Sequence, residues 1–121
     1  MGRRVAFFAL AVAALASFLF LFFSPQNGDS VEKMSELVLQ EDLFVMRSML
    51  NEYAADNHKR PQALEELVRT GYLKSIPIDP MTKRIDSWVV EWSNDPKMPG
   101  IINIHSGCRA LSSKGTAYRD W

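Results

Sequence analysis

Cysteine is almost missing from this 121-residue chain. Cys108 stands alone, so no intramolecular disulfide can form, and one cysteine with two distant histidines cannot build a Cys/His metal cage. An excess of charge of one sign is missing too: 14 Lys and Arg balance 14 Asp and Glu, for a formal net charge of zero. Phosphate binding needs a basic excess gathered on one face, so nucleic acid is not an expected partner. The chain has no internal repeat, no low-complexity segment, no nucleophile elbow and no glycine-rich oxyanion loop. Beyond a hydrophobic N-terminal block of 23 residues and a short linker, about 90 residues remain, enough for one compact domain.

What the chain does have is a long apolar run. From Val5 to Phe23 only Ser17 is polar, and six of the seven phenylalanines fall inside it. These 19 residues span about 28 Å at helical rise, close to the ~30 Å hydrocarbon core of a bilayer. No Ala-x-Ala pattern follows Phe23, which favours an uncleaved anchor over a removed signal peptide. Arg3 and Arg4 before the run, with Asp29 and Glu32 after it, place the N-terminus in the cytoplasm and the folded part outside. In a bacterium that is a single-pass inner-membrane protein with a periplasmic domain. Ala9, Ala13 and Ala16 share one side of the span and, with Phe20, are candidates for anchoring and for helix association in the membrane.

Residues 24–30, Ser-Pro-Gln-Asn-Gly-Asp-Ser, read as a linker that breaks the helix, with Asp29 or Ser30 as the next N-cap. Val31 to His58 then carries apolar residues at Leu39, Leu43, Met46, Leu50 and Tyr53, widened by Val38, Val45 and Met49. Steps of three and four put them on one side of an amphipathic helix, the spine of the domain. Lys59-Arg60-Pro61 ends it. Ala63 to Thr70 is a short second helix with Gly71 as its cap, and Ile76-Pro77-Ile78-Asp79-Pro80 is an extended surface connector. Trp88–Trp92 and Ile101–His105 read as an antiparallel hairpin, and Thr116–Trp121 as a third strand or edge segment. Trp88 and Trp92, four apart, should face the same side and pack on the spine. The predicted class is α+β, with a domain over residues 31–121 whose sheet covers the helix stripe.

Candidate chemistry is sparse. His105, Ser106 and Asp120 can be assembled on paper into a hydrolase-like set, but lack the loops that activate one, and the chain reads as non-catalytic. His58 reads as a helix-end cap, Glu65 and Glu66 as a solvated pair, and Cys108 beside Arg109 as an incidental thiol rather than a reactive one. Asp79, Asp86, Asp95 and Asp120 supply oxygens of the kind calcium takes, though in no regular calcium-loop spacing.

The apolar N-terminal helix, the amphipathic stretch carrying Glu41-Asp42-Leu43 and Met49 to Asn57, the run from Pro61 to Leu73 and Ile76-Pro77-Ile78-Asp79-Pro80 resemble the G-type major pseudopilins of type II secretion systems. The tail from Gly100, with Ile104-His105-Ser106-Gly107 and a closing Trp121, is similar to theirs. The likeness covers about Ser35 to Trp121. It implies a pilin fold and a structural subunit, held in the inner membrane by its apolar helix, whose partners are further copies, other pseudopilins and secretion-platform proteins. Members of that family are cut by a peptidase after a glycine and keep a glutamate near the new start; this chain has Gly2-Arg3-Arg4 and no acidic residue before Asp29. An alternative is therefore a stand-alone, membrane-tethered periplasmic binding module that does not polymerise. The family also holds calcium in its C-terminal loop, but the corresponding stretch here, Cys108 to Lys114, contains Arg109 and Lys114. Two cations disfavour calcium, and no cofactor is expected.

Overall fold

The computed structural model describes residues 27–121. The Val5–Phe23 run, with Ala9, Ala13, Ala16 and Phe20, lies outside the described residues. Among the described residues no helix is long and apolar enough to cross a membrane.

The spine is helix α1, Asn27–Asn57, 31 residues and about 46 Å long. It starts four residues before Val31, so the Asn27–Ser30 part of the expected linker is its first turn, with Asp29 near the positive helix pole. At the other end His58 takes a left-handed φ of 53°, and the Asn57 side-chain amide folds back to donate to the Tyr53 carbonyl at 2.9 Å. That agrees with His58 as an exposed helix-end residue. Helix α2, Leu64–Arg69, follows the buried Pro61. Gly71 closes it with φ 87°, and the Tyr72 and Leu73 amides both donate to the Leu67 carbonyl.

Strands β1 (Val89–Trp92) and β2 (Ile101–His105) form a two-stranded antiparallel sheet. The register pairs Val90 with Ile104 and Glu91 with Asn103, then slips so that Trp92 opposes Ile101, leaving Ile102 as a bulge. The Ile101 amide donates to the Pro61 carbonyl at 2.9 Å, fastening the hairpin to the turn between the helices. Thr116–Trp121 does not form a third strand. Leu111 and Ala117 make an isolated bridge, and Tyr118–Asp120 is a 3-10 turn. The reason is local: the Ser112 hydroxyl accepts the Lys114 and Thr116 amides, taking donors that a ladder would have needed.

The architecture is thus α+β, one long helix packed on a small antiparallel sheet. Its core holds Leu39, Leu43, Met46, Leu50 and Tyr53 from α1, all at most 3 % exposed, against Leu64 and Leu67 of α2, Trp88, Ile101, Ile104 and Tyr118. The three residues expected to widen the helix stripe differ from it: Val45 and Met49 are half-buried, and Val38 is exposed, since it lies about 100° around the helix from Leu39. Trp92 is also not a core residue: it is 51 % exposed. It does share a side with Trp88, since both line an open groove with Leu64 and Ile85, but no α1 residue lines that groove, so nothing of the spine covers Trp92 there. Trp88 is held in place by a 2.8 Å hydrogen bond from its indole N–H to the Pro77 carbonyl.

Candidate functional site

The connector Ile76–Pro80 is extended, as each proline requires of its predecessor, and Ile78 lies on the surface. Asp79, one residue on, is fully buried. Its carboxylate accepts the Met81 amide at 2.8 Å, the Ser106 hydroxyl at 2.6 Å and the Gly107 amide at 3.3 Å. The first of these closes a turn and the others cross to the segment after β2, so four oxygen lone-pair sites meet a ring of donors with no cation needed. Gly107 is required there: a Cβ would lie 2.0 Å from the Ser87 carbonyl oxygen.

This arrangement disposes of the Ser/His/Asp set. The Ser106 hydroxyl donates to Asp79 and not to His105, while His105 faces the Trp121 backbone oxygen at 3.1 Å and Glu91 at 3.3 Å, and Asp120 is exposed. The four aspartates weighed for calcium are likewise apart. Asp86 pairs with Arg84 through two 2.7 Å hydrogen bonds, Asp95 accepts the Lys97 amide at 2.9 Å, and the described residues hold no group of three metal-ligating side chains. The Arg84 guanidinium holds the Asp86 carboxyl below its usual range. Cys108 is half-buried against the core, its amide donating to the Ser106 hydroxyl. Glu65 is solvated, but Glu66 is more than that: it accepts the backbone amide of Gln62, just before the start of α2, at 2.7 Å and lies 3.5 Å from Arg69.

A second carboxylate is buried on α1. Glu36 of α1 accepts the Ser113 amide at 2.7 Å, the Ser113 hydroxyl at 2.8 Å and the Tyr118 hydroxyl at 2.8 Å. The Ser113 amide, foremost, holds its carboxyl below the usual range. Burial, aided by the bond to Glu36, pushes the Tyr118 phenol well up. Arg47, three turns further along the same side of α1, makes the corresponding tie, donating through Nη2 to the Ile104 carbonyl at 2.8 Å and to the Trp121 backbone oxygen. Burial draws its guanidinium below the usual range, opposed by Glu91. Between them these two side chains lay the C-terminal segment along α1.

The remaining feature is the side of α1 turned away from the core. Met34, Leu37, Val38 and Phe44 are 62, 59, 46 and 69 % exposed, and Val31 extends the row. At about 100° per residue they cluster opposite Leu39, Met46 and Leu50, so the helix is apolar on two opposite sides. Glu41 stands in the middle of the outer stripe with no ion-pair partner among the described residues. Beside the stripe run two adjoining hollows of about 440 and 330 Å³, sharing Gln40 and Trp121; Leu43, Phe44 and Arg47 line the first, Lys33, Leu37 and Lys114 the second.

No family model, curated protein or solved structure matches the chain.

Proposed function

We propose that the chain is a membrane-anchored, non-catalytic structural subunit or accessory of a type II secretion pseudopilus or a related pilus-type machine. On this reading the long helix with its small sheet is a pilin-like body, held in the inner membrane by Val5–Phe23 and displayed in the periplasm. One observation carries the proposal: the outer stripe of α1. A single domain uses one apolar side of a surface helix, and a second side with Met34, Leu37 and Phe44 mostly exposed is what a partner in an assembly would cover. Deleting the gene in its host tests this. Loss of export of a folded protein, or of a surface fibre, restored by the wild-type gene, is the expected result; an unchanged export profile and unchanged fibres would contradict it.

The stand-alone binding module has one observation in its favour, the Gly2-Arg3-Arg4 start and the lack of an acidic residue before Asp29, which depart from the peptidase site of the pseudopilins. N-terminal sequencing of the membrane-bound protein separates the two. An unprocessed start together with monomers in membranes favours the module.

A further inference from the structure

We propose that the free edge of β1, with the groove beside it, takes up an extended segment of another protein, one that carries alternate apolar side chains and a cation next to them. The inference goes beyond the assembly reading and does not rest on it, since no α1 residue lines the groove. The fold treats the two edges of the sheet differently. That of β2 is sealed: the Ile101 amide donates to the Pro61 carbonyl at 2.9 Å, and the Ile104 carbonyl accepts from Arg47 at 2.8 Å. Because the Ile104 main-chain groups point away from β1, its partner Val90 belongs to a non-hydrogen-bonded pair, and the Val90 amide and carbonyl face the outer edge of β1. Nothing among the described residues bonds to them there. Three of the four residues of β1 are exposed, and neither proline nor lysine guards the strand.

An unpaired edge calls for main-chain donors and acceptors in extended form, which identifies the occupant as a polypeptide strand. Side chains of such a strand alternate between the two faces of the sheet, and every second one falls on the side of Val90 and Trp92. That side is the groove, about 280 Å³, where Trp92 and Ile85 are 51 and 56 % exposed and Leu64 lines the floor between them and α2. It has room for side chains and not for a helix about 10 Å across. The charges that line it, Glu65 and Asp86, are both acidic. Asp86 is held by Arg84, whereas Glu65 is exposed with no ion-pair partner among the described residues, so a lysine or arginine of the incoming segment finds its counter-charge there.

Hydrogen–deuterium exchange of the full chain in detergent tests the proposal, with a short synthetic peptide of alternating lysine and valine as the probe. At about millimolar peptide, exchange of the Val90 amide should slow at least about tenfold, with no change across α1. The same peptide N-methylated at every residue keeps its side chains but loses its main-chain donors, and it should give no protection. Trp92→Ala and Glu65→Lys change exposed side chains and leave the fold intact; they should weaken peptide binding at least about fivefold and about threefold. No slowing at Val90, equal protection by the N-methylated peptide, or undiminished binding by either variant would overturn the proposal. So would slowing at Val90 that rises with protein concentration in the absence of peptide, since the occupant of the edge would then be a second copy. Each of these outcomes leaves the export and fibre test of the assembly reading where it stands.

Discussion

The two apolar sides of α1 are built from the same kinds of residue and have opposite fates. Leu39, Met46 and Leu50 are fully buried under the hairpin and α2, while Met34, Leu37 and Phe44 are at least 59 % exposed. Hydrophobicity alone does not distinguish them. What does is where polar side chains tie the rest of the chain down. Glu36 and Arg47 lie along one edge of the inner side and reach to Ser113, Tyr118, Ile104 and Trp121, whereas the side chain of Glu41, in the middle of the outer side, bonds to nothing within the described residues. A charged residue beside an apolar stripe thus marks an inner face when it captures buried donors or acceptors, and an outer face when it has no such partner.

Truncating the inner side breaks the contrast most strongly. Leu50→Ala or Met46→Ala should cost about 2–5 kcal/mol of stability, measured by denaturant unfolding, because each leaves a cavity among fixed neighbours. Asp79→Ala comes next, at about 2–3 kcal/mol, since it leaves the buried Ser106 hydroxyl and two half-buried amides without an acceptor; Asp79→Asn should lose less. Glu36 sharpens the comparison through pH. Its folded-state value is depressed, so its contribution is present above its ordinary 4.5 and is lost as pH falls below that, through the lower folded value. The Glu36→Gln variant should therefore melt at a lower temperature than wild type at pH 7, with the gap narrowing as the pH drops below 4.5. Asp42 works in the other sense. Burial, helped by Glu41 and Asp79, raises its value, so it opposes folding once ionised and slightly offsets the acid loss. The smallest effect belongs to the outer side, where Met34→Ser should change stability by no more than about 0.5 kcal/mol.

The inner stripe was legible in the sequence because five apolar residues at helical spacing have only one way to share a face, and the hairpin was legible from its aromatic and β-branched runs. Trp92 was misread for a physical reason: alternation fixes a strand's sides, but not which neighbouring element covers each stretch of them, and no α1 residue lines the groove beside Trp92. The roles of Glu36 and Asp79 lay further out of reach. Glu36 meets donors 77 and 82 positions away, and nothing local in Ser-Glu-Leu signals that partnership. Asp79 sits between two prolines, where an extended surface strand was the natural reading, and only the fold brings Ser106 and Gly107 to it. The outer stripe was visible as Val31, Met34, Leu37 and Phe44, but a search for one amphipathic side absorbs such residues into the wrong face or passes over them.

The most direct measurement is the thiol reactivity of Val38→Cys in a Cys108→Ser background, compared between native membranes and monomers dispersed by dilution in detergent. If the outer side of α1 is covered by a neighbouring copy, labelling in membranes should be slower by at least about tenfold, as for a core position. Equal rates in the two states would mean that this side faces water in the working protein.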